Sequence, residues 1–218
     1  MDSVRQDTSP PAGSSDLLFR RSSAHCDDPA APARYNLELR ARIPMPSDHL
    51  TKFVFRSRMP APADAVYRWH AAPGAFERLR PPWEKARVVE STGGIEDLGS
   101  FVTIRFSIGP FTKDWVAEHD ACEPGKMFRD VQVSGPFRYW EHTHLFLQDP
   151  KHPSSSWLED RIEYQLPLGW LGKLFAGAWT RRKLKRMFSW RHHVTAQVFA
   201  SPAKIGKDEG SNVAGQTH

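Results

Sequence analysis

Hydrophobic and polar residues alternate in two distinct patterns along the middle of the chain. Alternation with a period of two predicts seven strands, at Lys52–Met59, Ala86–Ser91, Ser100–Ile108, Thr112–Glu123, Met127–Val133, Phe137–Gln148 and Trp157–Leu166. Two short helices are predicted after the first strand, at Ala63–His70 and at about Pro73–Leu79. A helical pattern from Gly169 to about Phe199 predicts a final helix about 45 Å long.

Glycine and proline mark the connections between these strands, as at Gly93-Gly94, Gly109-Pro110 and Pro124-Gly125. Short turns join antiparallel neighbours, and such a sheet needs one apolar face covered. Only the C-terminal helix is long enough to cover it. The pattern therefore predicts an α+β fold in which a curved antiparallel sheet of about seven strands wraps a long C-terminal helix. A cavity between sheet and helix is the expected place for function.

The alternation also predicts which side chains face the helix. The inner sets are Val102, Ile104, Phe106 and Ile108; Trp115, Ala117, His119 and Ala121; Trp140, His142, His144 and Phe146; and Leu158, Asp160, Ile162 and Tyr164. A hairpin centred near residue 152 pairs His144 with Asp160. A slip of two residues would pair His142 with Asp160 instead. In either register an inward histidine meets an inward carboxylate, which would be costly to bury unpaired.

This histidine–aspartate pair has three possible roles. His144 and Asp160 are candidate catalytic residues, because a carboxylate can orient an imidazole that acts as a general base. His142-x-His144 also has the spacing of metal ligands on a strand, with His119 or Asp160 as the third ligand. Hydrogen-bonded histidines that orient a ligand are the favoured interpretation, so neither a metal nor a cofactor is predicted. No Gly-x-Ser-x-Gly, Walker A or dinucleotide-binding pattern occurs.

Composition divides the chain into a domain and two tails. Residues 1–50 are rich in Ser, Pro, Asp and Ala and are predicted to be mostly disordered, as are residues 201–218. Residues 51–200 form the single predicted domain. The chain has two cysteines, no secretory pattern and no apolar stretch long enough for a bilayer. These features predict a soluble cytoplasmic protein.

The net charge of +5 has its origin near the C-terminus, since residues 151–218 hold eleven basic and five acidic residues. Five basic residues of the long helix form a cluster: Arg181, Arg182, Lys183, Lys185 and Arg186. The cluster is either the solvated face of a core helix or a contact with an anionic membrane surface. No nucleic-acid partner is expected, because no nucleic-acid module surrounds it.

Four stretches resemble a known family. They are Gly74-Ala-Phe-Glu-Arg-Leu with Pro81-Pro-Trp-Glu, Gly135-Pro-Phe-Arg-Tyr-Trp-Glu-His-Thr-His, Leu158-Glu-Asp-Arg-Ile-Glu-Tyr-Gln-Leu-Pro-Leu-Gly, and Met187-Phe-Ser-Trp-Arg-His. Together they resemble the SRPBCC superfamily, the START and birch-pollen-allergen type of helix-grip fold, in its bacterial cyclase/dehydrase-like branch. The resemblance implies a cavity for a lipid, an isoprenoid, a quinone or a polyketide-like molecule, with no obligatory cofactor.

The resulting prediction is a protein that binds or carries a hydrophobic small molecule. Its predicted cavity is lined by Phe106, Trp115, Trp140, His142, His144, Asp160, Ile162 and Tyr164 from the sheet, with Leu174, Phe175 and Phe188 from the helix. One alternative is an enzyme of the cyclase or dehydratase type that uses His144 and Asp160. Another is a peripheral membrane or interaction protein that acts through the basic cluster.

Overall fold

The computed structural model describes residues 24–25, 50–108, 110–167 and 169–201, with only the backbone described at 24–25, 108 and 169–175. Its helices are α1 (Ala63–Ala71), α2 (Ala75–Leu79) and α3 (Gly169–Ala200). Its strands are β1 (Ala24–His25), β2 (Thr51–Met59), β3 (Ala86–Ser91), β4 (Asp97–Leu98), β5 (Phe101–Ile108), β6 (Phe111–Glu123), β7 (Met127–Ser134), β8 (Tyr139–Gln148) and β9 (Ser156–Gln165).

Seven of these strands form one antiparallel sheet in the order β2-β9-β8-β7-β6-β5-β3. Consecutive strands from β5 to β9 are neighbours, because short turns join them, and β2 returns to pair with β9. Among the strands, the long helix α3 packs mainly against β2 and β9, and it also contacts α2. The predicted α+β helix-grip architecture is confirmed.

The register of the β8–β9 hairpin decides which histidine lies opposite the buried carboxylate. His144 pairs with Asp160, His142 with Ile162 and Trp140 with Tyr164. The first of the two predicted registers is therefore the observed one. The hairpin loop between Gln148 and Ser156 is closed by backbone hydrogen bonds between Asp149, His152 and Ser155, which centres the turn near residue 152.

A bulge in β6 overturns one predicted inner position. The register shifts between His119 and Ala121, so that His119 pairs with Asp130 while Ala121 pairs with Arg129. The extra residue moves Ala121 to the outer face and brings Cys122 opposite Phe128 on the inner face. A strict period-two pattern does not reveal such an insertion.

Two short strands lie outside the predicted order. Ala24–His25 pairs with Asp97–Leu98 in a separate two-stranded ribbon. The tail prediction for residues 1–50 did not include this strand. The other residues predicted as tails lie outside the described part of the chain, apart from residues 50 and 201.

Two apolar clusters cover the inner face of the sheet. One includes Met59, Tyr67, Phe128, Phe146 and Leu158 beneath α1. The other joins the sheet to α3 and contains Phe53, Trp140, Ile162, Tyr164, Leu184 and Phe188. Along the strands, the polar residues described below lie between these two clusters. Within the described part of the chain, no helix combines the length and hydropathy that a bilayer span requires.

Candidate functional site

Three histidines surround the carboxylate of Asp160 inside the domain. Oδ1 of Asp160 lies 2.8 Å from Nε2 of His142 and 2.8 Å from Nδ1 of His144. Oδ2 lies 2.5 Å from Nε2 of His192. The side chain of Asp160 is only 3% exposed. Because an ionised carboxylate only accepts hydrogen bonds, each of these ring nitrogens carries the proton and donates it.

His192 is a member of this cluster that sequence reasoning did not select. It lies on α3 four residues after Phe188, so that both side chains share the helix face that meets the sheet. Phe188 is 1% exposed and packs on His142 with ring centroids 5.2 Å apart. The helical spacing from Phe188 was the signal that could have found His192.

Asp130 is the second carboxylate of the cluster, and it too was missed. The β7–β8 register places Asp130 directly opposite His142. Its Oδ1 lies 3.5 Å from Nδ1 of His142 and 3.6 Å from Nε2 of His144. These are the ring nitrogens that do not face Asp160. The inner face of β7 was not predicted, although the Gly135-Pro136 turn limits its register with β8.

The neighbouring histidines lower the pKa values of both carboxyl groups in this cluster. Burial alone would raise the pKa of Asp160, but His144, His142 and His192 outweigh it and hold that pKa well below its usual value. Burial likewise opposes ionisation of Asp130, whose pKa is nevertheless lowered by His142 and His144.

The two neighbouring histidines respond in opposite ways. Burial and the nearby His144 lower the pKa of His142, which favours its neutral form. Burial also acts to lower the pKa of His144, but Asp160 and Asp130 outweigh it and raise that pKa. The cluster therefore favours positive charge on the His144 side.

Further buried polar groups lie near the cluster. Burial lowers the pKa of His119, which interacts with Asp130, and the hydroxyl of Ser100 lies 3.0 Å from its Nδ1. The pKa of Arg191 is lowered by burial, against the attraction of Asp160 and Asp130. Nε of Arg191 and Nδ1 of His192 have no hydrogen-bond partner among the described residues.

His70 on α1 allows a test of the pH dependence of stability. Burial lowers its pKa to about 4 in the folded protein, from an ordinary value of 6.5. Between these values the unfolded chain binds a proton that the folded one does not, so stability falls as the pH falls. From pH 7 to pH 4 we expect the wild type to lose about 3 kcal/mol more than His70→Gln.

Urea unfolding at pH 7, 5.5 and 4 measures this difference. His70→Gln also changes packing against Phe146, so only the change with pH is compared, not the absolute stability. Parallel pH profiles for the two proteins would contradict the expectation.

The residues predicted to line a cavity fall into two groups, apart from two whose side chains are not described. Trp140, Ile162, Tyr164 and Phe188 are buried and pack together in the cluster beneath α3, beside His142, His144 and Asp160. Phe106 and Trp115 are only half-buried. The side chains of Leu174 and Phe175 lie outside the described residues.

The half-buried residues belong to an apolar wall on the inner face of β5 and β6. Ile104 pairs with Trp115, so Val102, Ile104, Phe106 and Trp115 share one face. Each of the four is partly exposed, whereas Ile162 and Tyr164 on β9, next to the other edge strand, are each 1% exposed. Because α3 packs mainly on β2 and β9, the described side chains leave this wall incompletely covered.

Two indole N–H groups, one in this wall and one next to it, lack an acceptor within the described part of the chain. The rings of Trp115 and Trp140 meet almost at right angles with centroids 5.0 Å apart. Both Nε1 atoms are buried without a hydrogen-bond partner among the described residues. A buried donor left unsatisfied costs about 1–3 kcal/mol, so an acceptor here would be stabilising.

The five basic residues of the predicted cluster, Arg181, Arg182, Lys183, Lys185 and Arg186, are all exposed on α3. Arg182, Lys185 and Arg186 line an open groove of about 500 Å³, with Trp83, Ser189, Trp190 and His193. The guanidinium of Arg186 lies 4.1 Å from the ring centroid of Trp83. None of the predicted cavity residues lines this groove. The contact of the basic cluster with a membrane stays a prediction.

A family model described as "Polyketide cyclase / dehydrase and lipid transport" matches residues 59–197. This match covers more than half of the chain. The protein belongs to this family. A search of curated proteins finds no match.

Solved structures share the fold of this family member at low sequence identity. Two structures of norcoclaurine synthase from Thalictrum flavum have TM-scores of 0.55 and 0.53, at 13% and 16% identity. Each match spans 72% of this chain. The matches span 98% and 90% of the two synthase chains, respectively. One of them contains dopamine and hydroxybenzaldehyde.

A protein from Thermus thermophilus has a TM-score of 0.51 at 17% identity, over 68% of this chain and 99% of its own. One from Chromobacterium violaceum has a TM-score of 0.50 at 14% identity, over 69% and 99% of the two chains. These similarities establish the helix-grip fold. At such low identity they show the fold alone, so an activity has to be argued from the residues of this chain.

Proposed function

We propose that this family member binds and carries a hydrophobic small molecule that has at least one hydrogen-bond acceptor. The observation that carries the proposal is the apolar wall of Val102, Ile104, Phe106 and Trp115, which the described side chains leave partly exposed. Ligand pockets are mostly apolar and contain a few polar groups that fix orientation. The family supports the same class of ligand.

The polar group in this proposal is the indole N–H of Trp115. It lies on the same face as the wall and has no acceptor among the described residues. A carbonyl or hydroxyl oxygen of the ligand would satisfy it, while the ring system or chain of the ligand covers Ile104 and Phe106. Lipids, quinones and polyketide-like molecules all combine these two features.

Extraction of the native protein followed by mass spectrometry tests the proposal directly. We expect a bound amphiphile at a reproducible ratio to protein, and saturable binding of the apolar fluorescent probe N-phenyl-1-naphthylamine to protein freed of ligand. Ile104→Lys places a charge on the wall and should weaken probe binding at least about tenfold, which corresponds to about 1.4 kcal/mol.

Thr103→Lys is the matched control, because Thr103 lies on the same strand but on the opposite face of the sheet. We expect it to bind the probe as the wild type does. Protein that is reproducibly empty and does not bind the probe would contradict the proposal. Equal loss of binding in both variants would also count against it.

A second candidate is a reaction of the cyclase or dehydratase type that uses His144 and Asp160. The opposite pKa shifts of His142 and His144 favour this candidate, because paired groups with separated pKa values suit acid–base chemistry. The same extraction discriminates between the two candidates. A molecule bound to His144→Gln that differs from the one bound to the wild type supports turnover, and identical molecules support carriage alone.

A further inference from the structure

Three atoms that can bind a cation converge within the buried cluster. They are Oδ1 of Asp130, Nδ1 of His142 and Nε2 of His144, and all lie within 4.8 Å of one another. Asp130 is separated from the two nitrogens by 3.5 and 3.6 Å. These separations are too long for good hydrogen bonds, whose heavy atoms lie about 2.7–3.2 Å apart.

The protons of both histidines are already committed to the other carboxylate. His142 donates through Nε2 and His144 through Nδ1 to the same oxygen of Asp160. In the neutral forms, the opposite nitrogen of each ring presents a lone pair. Two lone pairs and a carboxylate oxygen therefore face one another, an arrangement that a cation at their centre stabilises.

We propose that Asp130, His142 and His144 bind a divalent transition-metal ion, and that Asp160 orients both histidines for this role. Metal-bound histidines usually donate their second ring N–H to a carboxylate or a carbonyl, which fixes the tautomer and the ring orientation. Here a single carboxylate does so for both rings.

The two separations that involve Oδ1 of Asp130 favour zinc. Ligands at 2.0–2.1 Å from a tetrahedral ion lie about 3.3 Å apart, whereas octahedral neighbours at that bond length lie about 2.9 Å apart. The observed separations of 3.5 and 3.6 Å are closer to the tetrahedral value. Two histidines and one carboxylate are also a ligand set of catalytic zinc sites, which keep a fourth position for water or for a ligand oxygen.

The charges around the site favour a bound cation. Asp130 and Asp160 contribute two negative charges, and the buried guanidinium of Arg191 partly neutralises them in the absence of metal.

The side chain of Asp130 is the most exposed of the three ligands, at 18% against 12% for His144 and 5% for His142. The ion would therefore enter past the half-buried carboxylate rather than through the packed histidines.

Titration of chelator-treated, full-length protein with zinc chloride tests this site. We expect one tightly bound equivalent, a rise in the melting temperature on zinc addition, and a four-coordinate visible spectrum when Co²⁺ replaces Zn²⁺. Asp130→Asn and His144→Gln should each weaken binding at least tenfold. Far-UV circular dichroism of the two variants shows whether they remain folded. If a variant does not fold, the Co²⁺ spectrum of the wild type still tests the site.

His152→Gln is the matched control, because His152 is a 58% exposed histidine beside Asp149, outside the cluster. It should bind zinc as the wild type does. Failure of the wild type to bind zinc overturns the proposal. So does stoichiometric binding that both folded cluster variants retain, because it would place the ion at other histidines. Neither result depends on whether the protein carries a hydrophobic molecule.

Discussion

Asp160→Asn is expected to lower the free energy of unfolding by about 3–5 kcal/mol, the range observed when one partner of a buried charge network is removed. The carboxylate accepts hydrogen bonds from His142, His144 and His192, which come from β8 and α3. It thus links the sheet to the helix. An asparagine side chain has only one acceptor oxygen, and its NH₂ group would face a histidine N–H.

The effect has a second source in the histidine charges. His144 has a raised pKa because Asp160 and Asp130 outweigh its burial. Without the charge of Asp160, the protonated ring would remain buried beside only one carboxylate. The histidines would then favour their neutral forms, and the unfolded chain would bind protons that the folded one does not, so we expect the variant to lose more stability than the wild type as the pH falls from 7 to 5.

Chemical denaturation of both proteins at pH 7 measures the first effect. Asp114→Asn serves as a control, because Asp114 forms a two-point ion pair with Arg105 whose side chains are 40% and 41% exposed. Surface ion pairs contribute little, so its unfolding midpoint should remain near that of the wild type. If the two aspartate variants were equally stable, Asp160 would not be the link described here.

Phe188→Ala is expected to cost about 3–5 kcal/mol, the range for truncating a large aromatic side chain in a core. Phe188 is 1% exposed and lies on α3 against Phe53 of β2, at a centroid distance of 5.9 Å. It also packs on His142. Its removal leaves a cavity at the main contact between helix and sheet and loosens one wall of the histidine cluster.

Phe111→Ala is the matched control for this substitution. Phe111 begins β6 and is 74% exposed, so the same chemical change removes little buried surface. We expect a change within about 0.5 kcal/mol. Denaturation curves of the two variants, fitted with a common slope, give the comparison. A loss from Phe111→Ala as large as that from Phe188→Ala would contradict the assignment of Phe188 to the core.

Local pattern was sufficient for most elements of the fold. The predicted strand at Ala86–Ser91 has the observed bounds, and the other strands of the large sheet differ by two residues or fewer at each end. Short turns hold each strand beside the next, so most pairings were also within reach of the sequence. The centre of one hairpin gave the His144–Asp160 pairing as the first of two possible registers, and the structure has that one.

The members of the histidine–aspartate cluster were harder to predict from the sequence. Asp130 lies twelve residues before His142, and only the register across the β7–β8 turn shows that they are opposite each other. His192 comes from a helix thirty-two residues after Asp160. The β6 bulge, which moves Ala121 away from the inner face, leaves no mark on the alternation that precedes it.

The amino-acid sequence by itself determined the order of strands and helices in the domain and the presence of an inward histidine–aspartate pair, and it left two registers of the β8–β9 hairpin open. These features depend on side-chain periodicity and turn residues, which are local. Only the tertiary structure decided that three histidines share Asp160 and that Asp130 faces two of them. The physical reason is that such contacts depend on how a helix crosses a sheet and how distant strands align, and no local pattern encodes those distances.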